Sequence, residues 1–249
     1  PVALPLKQFN QLSLYFSEKA SAALIFKNLI TYAKKENMVV AFLKAAKESC
    51  LEELKLPEDA RIFESKAEGI GQLAAFLCAN AQHRYNLYTQ YCEEKQWDPE
   101  TAIAKQETFS HMRGMFRPIL VIFERYSDLV SVTTEVAGYL KQFSSVYVLS
   151  RYAQIYLMAG LYSDEPPFLW GNELYKCFNT EKLALLFGEK LNRQSLVKLP
   201  YDMERLLVKK PANHFLMSYR GELHHLLMPC GERRQEKVKT DDDSIFEDS

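Results

Sequence analysis

Apolar residues recur at three- and four-residue spacing through much of this chain, which is the period of one face of an α-helix. The longest region of low charge and high apolar content is 111–162. Its periodic positions are Met115, Ile119, Ile122, Phe123 and Tyr126, then Val132, Val136, Leu140 and Phe143, then Val146, Leu149, Ala153, Tyr156 and Gly160. We interpret this region as two or three consecutive helices around which the rest of the chain is organised.

The same period predicts further helices on both sides of this region. They cover 7–17, 22–35, 38–55, 65–95, 99–112, 168–178, 180–192 and 212–228. Asp98 is suited to cap a helix that has Pro99 at its first position. The predicted fold class is therefore all-α, either an irregular multi-helix bundle or a short helical solenoid.

Two short apolar runs also fit β-strands. ILVI at 119–122 and VYVL at 146–149 are rich in β-branched residues, which favour strands. The helical spacing of the flanking residues favours helices at both places, and we adopt that interpretation.

Turn-forming residues are sparse, and they suggest one folded unit with a tail. The segment 163–167, Ser-Asp-Glu-Pro-Pro, predicts an internal loop, because apolar content stays high on both sides of it. Residues 1–231 are therefore expected to form a single α-helical domain. From 232 to 249 the chain is dense in charge, which predicts a flexible, disordered tail.

Composition narrows the class of protein. A net charge of −1 argues against nucleic acid as a partner. Five scattered cysteines without a Cys-x-x-Cys pair point to a reducing, cytoplasmic compartment. There is no uncharged apolar run of about 18 residues, so no transmembrane segment is predicted.

The sequence contains no specific catalytic signature. Glu222 and His225 have the spacing of one half of a di-iron site, but no second copy accompanies them. Asp242, Asp243 and Glu247 resemble a magnesium-binding set, yet they lie in the predicted tail, which lacks rigid support. Nucleophile elbows, glycine-rich phosphate loops and zinc-protease motifs are absent. We therefore expect no catalytic residues, no cofactor and no metal.

Two groups of residues are candidates for binding another protein. Phe168, Leu169 and Trp170 follow the stiff Pro-Pro loop, where large exposed apolar residues would suit a binding hot spot. The alternative is that Trp170 folds back and covers the core. Ile245 and Phe246 lie among acidic residues, a pattern typical of a tail that docks into a groove. Ser244, with acids on both sides, is the candidate phosphorylation site.

These observations predict a non-catalytic protein–protein interaction module, such as an adaptor, a complex subunit or a pathogen factor acting on host proteins. The identity of the partner protein is left open. One alternative is a helical enzyme whose site is assembled from dispersed residues. The other is a binder of membrane surfaces or nucleic acid that uses a basic face.

Overall fold

The chain folds around a mixed, mainly parallel β-sheet, so the all-α prediction is wrong. The computed structural model describes residues 11–16, 19–135, 137–162, 184–187, 214–219 and 222–227. Strands and helices alternate along the first two thirds of the chain, which is the pattern of an α/β protein.

The strands are β1 (Gln11–Phe16), β2 (Val39–Lys44), β3 (Arg61–Glu64), β4 (Ile119–Phe123), β5 (Ile155–Tyr162), β6 (Ala184–Phe187), β7 (His214–Tyr219) and β8 (Glu222–Leu227). The helices are α1 (Lys19–Lys35), α2 (Ala67–Glu94), α3 (Pro99–Ala102), α4 (Gln106–Met115), α5 (Tyr126–Glu135) and α6 (Ala137–Ala153). A short 3₁₀ turn covers Leu51–Glu53.

The sheet has the strand order β3-β2-β4-β5-β1-β6-β7-β8. Neighbouring strands from β3 to β6 pair in parallel, and β7 and β8 are added antiparallel. In register, Phe42 of β2 lies beside Ile122 of β4, and Phe123 of β4 lies beside Ala159 of β5. The amino-terminal strand β1 therefore lies inside the sheet, next to β5.

Side chains that alternate along these strands fill a core on each face of the sheet. The face covered by α1 is formed by Leu12, Leu14, Phe16, Val40, Phe42, Leu120, Ile122, Tyr156, Met158 and Tyr162. The face covered by α2, α5 and α6 is formed by Ala41, Leu43, Ile119, Val121, Phe123, Ile155, Leu157, Ala159 and Leu161. Because both faces are buried, strands β4 and β5 are buried at every position and show no polar alternation.

Several predicted helices contain strands instead, and at β2, β4 and β5 the physical reason is burial on both faces, which removes the period of two. The predicted helices 7–17 and 38–55 contain strands β1 and β2, and the predicted helix 180–192 contains strand β6. The predicted helix 212–228 contains the pair β7 and β8. In 111–162, ILVI belongs to strand β4, the alternative that we set aside, while VYVL does lie in a helix, α6.

Other local predictions are confirmed. The predicted helices 22–35 and 65–95 correspond to α1 and α2. Asp98 caps α3 from its predicted position, accepting a hydrogen bond from the Thr101 N–H at 3.1 Å, with Pro99 as the first helical residue. The helix predicted for 99–112 is, however, divided into α3 and α4.

The predicted loop at 163–167 and the tail at 232–249 lie outside the described residues. Among the helices that the structure describes, none combines the length and apolar character that a bilayer span requires.

Candidate functional site

The order of the strands places a topological switch point at the carboxyl edge of the sheet, where open α/β folds form a crevice. The chain leaves β1 through α1 toward β2 on one side, whereas it leaves β5 toward β6 on the other side. Strands β1 and β5 are neighbours, and the strands that follow them in the chain, β2 and β6, lie on opposite sides of this pair. In open α/β sheets, ligands bind at such a switch point, outside the carboxyl ends of the strands. This edge is therefore the candidate functional site.

Two aromatic residues and one cation lie at the switch point. Phe16 and Tyr162 end β1 and β5 and are register partners, with ring centroids 5.4 Å apart. The guanidinium carbon of Arg125 lies 4.5 Å from the centroid of the Tyr162 ring. Tyr162 is only 7% exposed, and the partly buried Arg125 is positioned over it at the edge of the sheet.

Glu124 follows β4 directly and is almost completely buried, at 1% exposure. Its carboxylate accepts hydrogen bonds from the Ala45 N–H at 2.7 Å, the Ser49 hydroxyl at 2.6 Å and the Cys50 N–H at 2.5 Å. These three donors belong to the loop 45–50, which follows β2. These hydrogen bonds stabilise the buried carboxylate, and through them it holds the loop against β4.

Asp128, in the first turn of α5, holds the same loop at a second point. Its carboxylate accepts a hydrogen bond from the Ala46 N–H at 2.8 Å. Burial raises the pKa of this carboxyl group, and the Ala46 N–H opposes that rise. Between the two attachments, Glu48 has a φ of 53°, a left-handed conformation that is uncommon for a residue with a side chain. The loop therefore keeps an uncommon shape that Glu124 and Asp128 fix.

Cys50 is a buried thiol in the loop that Glu124 holds. Burial raises the pKa of its thiol strongly, and the negative charge of Glu124 raises it further. A thiol kept protonated in this way is a poor nucleophile. Cys50 is therefore a buried structural residue of the edge.

Strand β5 approaches the residue after β4 so closely that only glycine fits. A Cβ atom on Gly160 would lie 2.3 Å from the backbone oxygen of Glu124. Gly160 therefore brings the end of β5, with Tyr162, next to Glu124 and Arg125.

The binding and phosphorylation residues proposed from the sequence lie outside the described residues; they are Phe168, Leu169, Trp170, Ser244, Ile245 and Phe246. The Glu222–His225 motif, considered for a helix, falls in strand β8. Across the described ranges, no group of three or more His, Cys, Asp or Glu side chains could hold a metal ion.

The sequence analysis missed Glu124 and Arg125. Treating 119–126 as part of a helix makes two charged residues there look like an ordinary solvated position. The informative signal was the abrupt end of a β-branched apolar run, ILVIF, in the charged pair Glu124–Arg125. That pattern is typical of a buried parallel strand that delivers side chains to a carboxyl edge.

The sequence matches no family model and no curated protein. Solved structures of a conjugation coupling protein and of secretion ATPases do match its fold. The pCW3 conjugation coupling protein TcpA, as a monomer with ATPγS, superposes with a TM-score of 0.63 at 12% identity, over 91% of this chain and 62% of that one. ATPases 2 and 3 of EssC from Geobacillus thermodenitrificans give a TM-score of 0.58 at 15% identity, over 92% of this chain and 38% of that one.

The cytoplasmic domain of the type VII secretion ATPase EccC from Thermomonospora curvata gives a TM-score of 0.62 at 9% identity, over 91% of this chain. The chain covers 24% of that structure, so it spans between about a quarter and three fifths of the structures it resembles. At these identities the likeness is one of fold. It contradicts the prediction of an all-α, non-catalytic interaction module, because the structures that share this fold include ATPase domains.

The residues present depart from the usual phosphate and magnesium site of P-loop ATPases. That site uses G-x-x-x-x-G-K-[ST] after the first strand, but the first glycine of this chain is Gly69, far beyond α1. The same enzymes hold Mg²⁺ partly through an aspartate. Here β4 ends in the buried Phe123, and Glu124 is already bonded to three donors. The described residues do not fit a magnesium ion at β4, and we derive no catalytic step through one.

Proposed function

We propose that this chain is an ATP-binding domain of a translocation motor, with its nucleotide site at the carboxyl edge between β1 and β5. The observation that carries the proposal is the strand order, which places a switch-point crevice in a fold shared with ATPase domains over more than 90% of the chain. Ligand sites in such sheets are set by topology, so the crevice is where a nucleotide is expected even without a glycine-rich loop.

Two departures from the usual P-loop site determine how we expect ATP to bind: the missing glycine-rich loop and the poor fit of a magnesium ion at β4. Without the glycine loop and its lysine, the phosphates have to be held by other groups at the edge. Because Glu124 is buried and bonded to loop 45–50, we assign it a positioning role there and not that of a base. ATP binding should consequently depend only weakly on Mg²⁺.

We further propose that the domain works inside a larger assembly. The chain spans only part of each structure it resembles, and those structures are described as secretion or conjugation proteins. Its protein partners would then be the neighbouring domains or subunits of the motor, on the cytoplasmic side of a membrane. Residues 1–231 would form the ATPase-type domain, and the tail at 232–249 an appendage to it.

Isothermal titration calorimetry of the full chain with ATP tests the proposal. We expect saturable binding of ATP, no binding of adenosine, and an affinity that changes by less than about threefold when EDTA replaces Mg²⁺; a threefold change corresponds to about 0.7 kcal/mol. A melting temperature that rises with ATP concentration should accompany the binding.

The absence of both heat and a melting shift at millimolar ATP would overturn the proposal. Binding that is lost completely in EDTA would instead require a magnesium site at this edge. That result would contradict the conclusion that Phe123 and Glu124, at the end of β4, do not fit a magnesium ion.

A further inference from the structure

We infer that Arg125 binds the phosphate groups of the nucleotide at the switch point, in place of a P-loop lysine. This inference rests on the proposed function, since it names the residue that would hold the ligand of the same site. It concerns a residue that follows β4, not the β1–α1 connection where P-loop ATPases carry their phosphate-binding lysine.

The first argument for the inference is the position of Arg125. Its guanidinium lies 4.5 Å from the centroid of the Tyr162 ring, and Tyr162 is the last residue of β5. Tyr162 in turn contacts Phe16, the last residue of β1. The guanidinium of Arg125 therefore lies over the end of β5, one of the two strands at the switch point, and the side chain is only partly buried.

The second argument for the inference is the set of charged groups around Arg125. Glu124 accepts three hydrogen bonds from loop 45–50, and Asp128 accepts one from the Ala46 N–H. Arg125 and Lys47 both lie close enough to Asp128 to lower the pKa of its carboxyl group against the effect of burial. Arg125 and Lys47 thus give this edge two cationic side chains beside its hydrogen-bonded carboxylates.

The third argument for the inference is the chemistry of the arginine side chain. A guanidinium presents a planar fork of N–H donors that matches two phosphate oxygens, and its bonds to phosphate are charge-assisted. The Tyr162 ring beneath it limits the orientations it can take, which reduces the entropy lost on binding. The edge therefore suits an anion with several oxygens.

Calorimetry on the full chain and on Arg125→Gln tests the inference, with ATP, ADP and AMP as the three ligands. Gln keeps much of the side-chain length over Tyr162 and removes the charge. We expect the affinity for ATP to fall at least about tenfold, the affinity for ADP to fall less, and the affinity for AMP to change least. A loss of packing alone would weaken all three ligands equally.

Arg61→Ala is the matched control. Arg61 is an exposed arginine whose guanidinium lies 4.4 Å from the Phe76 ring centroid, so the variant loses the same charge and a similar ring contact on strand β3. It should leave all three affinities unchanged. Arg125→Lys, which keeps the charge but not the fork, should lie between the wild type and Arg125→Gln.

The outcomes separate the two claims. Wild-type chain that binds none of the nucleotides would overturn both the proposed function and this inference. Wild-type binding that Arg125→Gln leaves intact, or weakens equally for ATP, ADP and AMP, would overturn the role of Arg125 alone. Melting curves without ligand show whether each variant folds, and Arg125→Lys supplies the test if Arg125→Gln does not.

Discussion

A single buried carboxylate determines the local structure of the candidate site. Glu124 is 1% exposed and receives two backbone N–H bonds and one hydroxyl bond from the loop after β2. A buried charge is tolerated when its hydrogen-bonding capacity is filled in this way. The residue therefore joins β4 to loop 45–50, and its removal would leave the Ala45 and Cys50 N–H groups without an acceptor.

Glu124→Ala should destabilise the protein strongly. Each buried donor left without a partner costs about 1–3 kcal/mol, and the substitution strands up to three donors. We expect the free energy of unfolding to fall by about 3 kcal/mol or more, measured by equilibrium denaturation in urea.

Glu64→Ala is the control for this measurement. The Glu64 side chain is 59% exposed and forms only a surface ion pair with Lys44 at 3.7 Å. Surface pairs contribute about 0–1 kcal/mol, so this control should change stability by less than that. Equal effects of the two substitutions would show that the Glu124 hydrogen bonds do not stabilise the fold.

At the scale of elements, the sequence predicts amphipathic helices well and buried strands badly. Helices α1 and α2 each have one face on the sheet and one toward solvent, which leaves a clear three-to-four-residue period. Strands β4 and β5 are buried at every position, so their sequences ILVIF and IYLMAGLY carry no period of two. A helical period can be fitted through such runs, and length and β-branching are the better guides.

The contact between β5 and the end of β4 depends on one glycine. Replacing Gly160 by Ala would place a Cβ atom 2.3 Å from the Glu124 backbone oxygen, a contact that a strand between two others cannot relieve by moving away. We expect Gly160→Ala to lower the free energy of unfolding by about 2 kcal/mol or more.

Gly114→Ala is the matched control for Gly160→Ala. Gly114 lies in α4, and a Cβ atom built there meets nothing within 4 Å. Since alanine is the better helix former, by up to about 1 kcal/mol, this control should be neutral or slightly stabilising. If thermal denaturation gave Gly160→Ala and Gly114→Ala the same melting temperature, the close approach of β5 to the Glu124 backbone would be refuted.

At the scale of the whole molecule, topology locates a site that no sequence motif marks. The switch point exists because β1 lies between β5 and β6 in the sheet, and that order cannot be read from local patterns. Glu124 and Arg125 become informative only once ILVIF is known to be a strand ending at this edge. The chain also lacks the glycine loop by which such folds are usually recognised.

The protein-binding residues predicted from the sequence remain predictions. Phe168, Leu169 and Trp170 follow β5 in the chain, and Ile245 and Phe246 lie near its end. They are no longer arguments for a stand-alone helical adaptor, because the chain has an α/β fold that resembles that of secretion ATPases. Within a motor, the same residues would be candidates for contacts with neighbouring domains.

Hydrogen exchange measured by mass spectrometry, with and without ATPγS, tests most directly whether nucleotide binds at the carboxyl edge. The account predicts slower exchange in peptides that cover the ends of β1 and β5 and the segment 124–128, and unchanged exchange in α4, which lies before the amino end of β4. Protection confined to α4 or to the amino ends of the strands would contradict it, and so would the absence of protection at saturating ATPγS.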